Sequence, residues 1–600
     1  MRKFTIFLLA MTIVTMAMAQ SKFVRTKPQA VPLKNVKEQA GPAQLFNPNA
    51  NTKAVLDEII GATVYDMQTN ASVDTRIRVF PDGTMGATWT RGTSNNSERG
   101  TGYNYFDGSA WGPAPTSRIE NDRTGWPSYD RLGPNGEIVI AHLNDGLKVS
   151  TRPDKGTGAW SYNTIFGPAG ATDISWPRIM TNGPNNNYIH MMIWTYVAYQ
   201  NLDLALLYYR SLDGGATWDK THEILPQLTS ADYDGFNGDQ VAWGTPHGDT
   251  IYFMVSGPWV DTFIMLSTNN GDTWTKIPIL GNANKKLPAG TTDVMPFRAS
   301  DGSCAVEMDK NGVFHAAFGV GGGYMEAGSK YIYINSNGLV YWNSTMPMVK
   351  DSLDLDTLEA HGNLLGAVYN GPNPGDTIIA APNYRCGLSS QPQITVDDWN
   401  NVYFTWAACT PGNPSPDPYN YRHIWGRAKA HDKTEMSPQK DFNEGILYLF
   451  NEYVYPSMAK KLVDGNLPII CQTSSQPGSN IVSTTIPVHD CNIEYRGIPA
   501  ADFWATGTGD KVAAKLNQAG QNVPNPASGT TRIGVTLART APVSLALYSL
   551  TGVMVMELNK GTLPEGSHVI TLDASSLTPG VYFYTVTMGQ DKVTRKMIVR

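Results

Sequence analysis

Ser211-Leu212-Asp213-Gly214-Gly215-Ala216-Thr217-Trp218 follows the apolar run 204–210, and Ser267-Thr268-Asn269-Asn270-Gly271-Asp272-Thr273-Trp274 is a near copy of it. Both read as β-hairpin turns. The Asp or Asn side chain can bond backbone N–H groups ahead of it, and glycine takes a positive φ without a Cβ clash. Ser and Thr hydroxyls add weaker local bonds. The closing Trp brings a large ring to bury between packed sheets.

Outward from these turns the chain repeats one unit from about residue 60: strand, tight polar turn, more apolar strand, third strand, and often a Gly-then-Trp turn. The tight turns are Pro81-Asp82-Gly83, Gly133-Pro134-Asn135-Gly136, Asn182-Gly183-Pro184-Asn185, Pro246-His247-Gly248-Asp249, Asp309-Lys310-Asn311-Gly312, Asp397-Asp398-Trp399-Asn400 and Val463-Asp464-Gly465-Asn466. Each has the Gly/Asn/Asp chemistry of short hairpins. The apolar strands then fall at 84–90, 137–143, 188–195, 251–256, 313–320, 402–408 and 467–471. Third strands are expected at 103–106, 147–152, 204–210, 262–267, 331–335, 424–429 and 492–497. An insertion, roughly 350–387, separates the fifth and sixth units. Sheets repeated at this spacing protect their edges by closing radially, which predicts an all-β β-propeller.

The turn at 211–218 resembles the Asp-box (S-x-D-x-G-x-T-W) hairpin of sialidase-like propellers. Ser211, Asp213, Gly215, Thr217 and Trp218 match it in full, and Ser267, Asn269, Gly271, Thr273 and Trp274 match with Asn for Asp. The repeat count gives seven blades, preferred over the six that the resemblance implies. Strand 61–69 is expected to close the ring on the last unit.

After Ala501 the texture changes. Pro524-Asn525-Pro526, Leu547-Tyr548-Ser549-Leu550-Thr551-Gly552-Val553, Leu577-Thr578-Pro579-Gly580-Val581-Tyr582-Phe583-Tyr584 and the end Lys596-Met597-Ile598-Val599-Arg600 alternate strand and break. They predict a small Ig-like β-sandwich. This tail resembles the type A C-terminal sorting domain of type IX secretion. The resemblance implies a Bacteroidota-type source, partners in the secretion machinery, removal of the tail by a sortase, and a secreted or surface location.

The opposite end agrees with export. Met1-Arg2-Lys3, the apolar run 4–19 and Ala17-Met18-Ala19 read as a signal peptide cleaved before Gln20. The expected layout is signal peptide 1–19, extended leader 20–58, propeller 59–501, linker 502–521 with a helical turn near 511–517, and sorting domain 522–600. No other stretch is apolar and long enough to span a membrane. The net charge of −6 is unpatterned and gives no sign of nucleic-acid binding. Five cysteines in an exported chain permit disulfides. Cys471 and Cys491 are the first candidate pair and Cys386 with Cys409 the second, leaving Cys304 free.

Candidate ligand-binding residues sit where first strands begin. Trp126-Pro127, Trp176-Pro177, Gln391-Pro392 and Tyr455-Pro456, with Met295-Pro296-Phe297 as a variant, place an aromatic or polar residue at a strand entry, where proline's missing N–H is tolerated. Trp126, Trp176, Phe297 and Tyr455 would ring one mouth as a platform for a sugar or a peptide. Sialidase-like chemistry requires arginines for a substrate carboxylate. Arg76, Arg178 and Arg298 lie near entries, but Thr75-Arg76-Ile77-Arg78 lacks the proline of the family signature, and no Tyr/Glu pair can be assigned. Catalytic residues therefore stay unknown. No metal spacing is present; the loop Asp232-Tyr233-Asp234-Gly235-Phe236-Asn237-Gly238-Asp239 offers oxygen ligands for Ca²⁺ at most, and no cofactor is expected. The expectation is a glycan- or protein-binding adhesion module, with a sialidase-like glycoside hydrolase as the alternative.

Overall fold

The computed structural model describes residues 23–25, 57–73, 75–93, 98–369, 378–415, 419–444, 448, 451–504, 518–523, 525–537, 539–550, 552–564, 566–589 and 591–600. The signal peptide and the helical turn expected near 511–517 lie outside them. The chain divides into two units, Met1–Thr506 and Gly507–Arg600.

Among the described residues seven sheets build the first unit, each centred on an antiparallel meander. Sheet 1 holds Ile77–Val79, Met85–Arg91 and Gly100–Phe106. Sheet 2 holds Gly125–Leu132, Gly136–His142, Leu147–Arg152 and Ser161–Ile165. Sheet 3 runs Ile174–Asn182, Tyr188–Thr195, Leu206–Ser211 and Lys220–Glu223, and sheet 4 runs Val241–Trp243, Ile251–Val255, Thr262–Ser267 and Thr275–Leu280. Sheet 5 pairs the long strands Val294–Met308 and Phe314–Glu326, then Leu339–Asn343 and Leu364–Gly366. Sheet 6 contains Ser389–Val396, Val402–Pro414, Asn420–Lys429 and Lys440–Asp441. Sheet 7 contains Glu452–Met458, Asn466–Ser474 and Cys491–Pro499, and the early strand Glu58–Thr63 pairs antiparallel with the last of these.

The second strands are almost wholly buried, which is why they read as apolar runs. Their side chains pack between sheets. One core joins Ile140 of sheet 2, Met191 of sheet 3 and Phe253 of sheet 4, and further cores join sheets 4 and 5, 5 and 6, 6 and 7, and 7 and 1. Sheets 1 and 2 meet through a polar knot instead. The Glu137 carboxylate accepts from Tyr129 and Tyr103 and pairs with Arg152, whose guanidinium lies 4.5 Å from the Tyr103 ring and 4.3 Å from that of Trp160.

The two decisive turns fold alike. Asp213 accepts from Thr217 N at 2.8 Å and Thr217 Oγ1 at 2.6 Å, while Ser211 Oγ accepts from Gly215 N at 2.8 Å. Asn269 Oδ1 takes Thr273 N at 2.9 Å, and Ser267 Oγ takes Gly271 N at 2.8 Å. Gly271 is irreplaceable here: its φ is +83° and an added Cβ would collide with the Tyr208 hydroxyl of sheet 3. Trp274 then wedges between Tyr208 (5.2 Å) and Phe253 (5.3 Å), so the turn of sheet 4 fastens it to sheet 3.

Sheet 5 departs from the expected strands. Its third core strand is Leu339–Asn343, not 331–335. Ser329–Tyr333 pairs instead with the far end of Phe314–Glu326, because both long strands run on past the core as a hairpin. Backbone 23–25, inside the expected leader, pairs in parallel with 330–332 on that edge. The insertion forms a short helix, Leu355–Ala360, whose N-terminus is capped by Asp354.

The second unit packs two sheets around one apolar core. One holds Gln518–Val523, Thr530–Leu537 and Gly566–Asp573; the other holds Met554–Leu563, Ala541–Ser549, Gly580–Met588 and Asp591–Val599. Its first strand starts within the 502–521 stretch expected to be linker.

Candidate functional site

At four first-strand entries the residue before proline is left-handed: Trp126 (φ +50°), Trp176 (+56°), Gln391 (+60°) and Tyr455 (+55°). Each sits at a break in strand register, a β-bulge, and the Met295-Pro296 entry carries the same break without the positive φ. A bulge re-aims a side chain at the strand end, and an αL aromatic costs about 1–2 kcal/mol, so the surroundings must hold it there.

What holds these entries together is the segment after Glu58–Thr63. Residues 64–73 touch all seven sheets. Gln68 Nε2 donates to Thr90 O of sheet 1, and Tyr65 meets Trp126 of sheet 2 edge-on at 5.4 Å. Arg178 of sheet 3 donates to Ser72 O, and Ser72 N donates to Asp239 O at the entry of sheet 4. Ser72 Oγ receives Cys304 N of sheet 5. Val73 O accepts from Gln393 of sheet 6, and Asp66 O from Gln472 of sheet 7.

This segment decides where the predicted arginines point. Arg76 donates to Gln68 Oε1 (2.8 Å) and Gln68 O (2.6 Å), and Arg178 pairs with Asp239 at 2.8 Å; both are almost fully buried. Arg298 is exposed on sheet 5. The three do not converge on open space. The platform residues also separate. Phe297 packs on Trp259 (5.0 Å) and Tyr455 on Tyr384 (5.7 Å), each inside its own sheet surroundings.

Trp126 and Trp176 do come together, through His142. The His142 ring lies 4.9 Å from that of Trp126 and 6.4 Å from that of Trp176, and Trp176 stacks on Tyr196 at 5.3 Å. Arg99 covers both Tyr65 (5.4 Å) and Trp126 (5.3 Å) while its Nε donates to Thr124 O. Arg99, Trp126, Trp176 and Tyr196 are half-buried, and Arg123 is too. Burial, with Arg99 and Arg123 close by, pushes the His142 pKa down to about 3, so its imidazole is neutral at physiological pH. Its Nδ1 and Trp126 Nε1 have no hydrogen-bond partner among the described residues. Asp173 stands beside this group; burial and the neighbouring Asp145 raise its carboxyl to about 6. Sequence reasoning found the two tryptophans through their prolines. It missed Arg99, His142, Asp173 and Tyr196, which no local motif marks.

Other expectations are corrected. Cys471 and Cys491 are not bridged, and all five cysteines are free and buried. Register is the reason: Cys471 faces Glu494, three residues from Cys491 and about 10 Å away along the strand, beyond disulfide reach. Cys386 and Cys409 are likewise separate thiols. In the loop 232–239, Asp234 faces Lys286 and Lys330, and Asp239 pairs with Arg178 and accepts from Asn70. Among the described residues no cluster of His, Cys, Asp or Glu is suited to a metal.

Residues 523–600 match the family described as the secretion system C-terminal sorting domain. The chain is an exported protein. Its sorting domain is of the type IX, Bacteroidota kind and directs it to the cell surface or extracellular space. Among the described residues no helix is long and apolar enough to cross a membrane. No curated protein matches the chain in sequence. Solved structures similar to it include a Penicillium chrysogenum alpha-L-arabinanase complexed with arabinobiose, at 10% identity and TM-score 0.32 over 74% of this chain and 99% of that one. The Hadza microbial sialidase Hz136 follows at 12% identity and TM-score 0.32 over 69% and 73%. An Aleuria aurantia lectin mutant in complex with Fucalpha1-6GlcNAc has 6% identity and TM-score 0.32 over 62% and 97%.

Proposed function

We propose that this exported chain is a seven-bladed propeller whose mouth binds a glycan or an extended protein segment, delivered by an Ig-like sorting tail that a sortase removes. Sheet-to-sheet packing supports the ring: the first strand of each sheet adjoins the next, and sheet 7 returns to sheet 1. A segment that reaches all seven sheets must lie near a shared axis.

One observation carries the binding reading. Trp126, Trp176 and Tyr196 are half-exposed rings backed by the buried His142, with Arg99 laid across their edge. Aromatic faces cover the apolar C–H faces of a sugar ring, and guanidinium groups supply donors for its oxygens. A glycan array followed by calorimetry on the full chain tests this. Trp176→Ala is expected to weaken the best ligand about tenfold or more, with the circular dichroism spectrum unchanged. Unaltered affinity in both Trp126→Ala and Trp176→Ala would sink the assignment.

Asp173 favours glycoside hydrolysis as a second reading, since a carboxyl raised to about 6 suits a general acid. Fluorogenic glycosides separate the two. Turnover lost in Asp173→Asn with binding retained would establish the enzyme; no turnover in the parent protein leaves the binding module.

A further inference from the structure

The hairpin that extends sheet 5 beyond the core carries a second surface. Antiparallel partners share a face, and alternate residues return to it. Arg298 pairs with Gly322, Gly322 with Tyr333, Tyr324 with Tyr331, and Glu326 with Ser329. Arg298, Tyr333, Tyr324, Tyr331 and Glu326 therefore stand on one face. The opposite face, through Phe297, Gly323 and Lys330, is closed by Trp259.

The tyrosines form an ordered row. Tyr324 and Tyr331 stack at 4.5 Å with their planes within 6°, and Tyr333 lies 5.6 Å from Tyr324. All three are half-exposed, and Arg298 and Glu326 at the two ends are exposed. Four residues separate the row of Arg298 from that of Glu326, about 14 Å along the strand. The hairpin spends glycine at 321, 322 and 323, so no side chain from that strand stands between Arg298 and the tyrosines. At its foot Asn335, two residues past Tyr333, is 4% exposed, and neither amide atom has a partner among the described residues.

We infer that this face binds an oligosaccharide bearing spaced carboxylates, a uronic-acid chain. The rings supply stacking area, and Arg298 offers a planar fork that matches a planar carboxylate bidentately. Glu326 accepts from sugar hydroxyls and repels anions crowded near it, so one carboxylate per ring is tolerated where several sulfates per ring are not. This polarity selects a uronate over a sulfated glycan or a neutral one. The site is distinct from the Trp126–Trp176 surface and stands or falls without it.

Affinity electrophoresis and calorimetry of the full chain against oligogalacturonate, dextran sulfate and dextran test the inference. Oligogalacturonate is expected to bind, about tenfold more weakly in Tyr331→Ala and in Arg298→Gln, with partial recovery in Arg298→Lys and no change in Trp176→Ala. Tyr331→Phe keeps the ring and should retain affinity, which separates loss of stacking from loss of the hairpin. Binding should also weaken as salt rises. A preference for dextran sulfate or dextran, no binding to any of the three, or indifference to both Tyr331→Ala and Arg298→Gln would overturn it.

Discussion

Asp213 shows how much one side chain does in a turn of eight residues. Its carboxylate accepts three local bonds, from Ser211 Oγ and from the N–H and hydroxyl of Thr217, and these hold its pKa below the usual carboxylate range. Asn269 makes the equivalent bond to Thr273 N with an amide oxygen. Asp213→Asn is therefore expected to be nearly neutral, while Asp213→Ala costs about 1 kcal/mol in urea unfolding. Glu452 is the opposite case. Its carboxylate is fully buried and accepts Arg422 N, yet desolvation outweighs that bond and raises its pKa to about 8. The folded state then keeps a proton that the unfolded chain gives up near the ordinary glutamate value. Its stabilising contribution is present below about pH 4.5 and is lost as pH rises towards 8, at about 1.4 kcal/mol per pH unit. Glu452→Gln should gain on the parent protein between pH 5 and pH 8 in melting experiments; a gap that does not widen with pH would refute it.

At the scale of elements, the short crossing segment matters more than any single strand. Residues 64–73 have no sheet partner of their own, and their backbone groups bond to side chains and to backbone around them. Arg178 and Asp239 pin this segment with both charges removed from water. Breaking such a pair from one side leaves a buried charge uncompensated. Arg178→Met is expected to destabilise by about 3–5 kcal/mol, and Arg178→Met with Asp239→Leu by clearly less than the sum of the single changes. The αL entries belong to the same scale: the bulge at Trp126 delivers its ring onto Tyr65 of this segment.

For the whole molecule, the two units have separate cores, and the tail matches a sorting domain over 523–600. Export and folding should therefore separate. Deleting 523–600 is expected to abolish surface or extracellular delivery in a type IX host while the truncated chain keeps its β-rich spectrum, checked by cell fractionation. Surface display without the tail would contradict the sorting role.

The sequence alone determined what local chemistry determines. The turns at 211–218 and 267–274, the apolar second strands and the tail motifs each depend on neighbours within about ten residues, so composition and alternation reveal them. Tertiary structure decided the rest. Arg76 and Arg178 looked available for a substrate and are spent on Gln68, Ser72 and Asp239. The pairing of Cys471 with Cys491 failed because register, not strand adjacency, sets the distance between sulfurs. His142 between two tryptophans, and a tyrosine row beside Arg298, arise where strands far apart in the chain, or one overlong hairpin, bring side chains to one face. No residue's own neighbours record such a meeting, since it is fixed by how whole sheets pack.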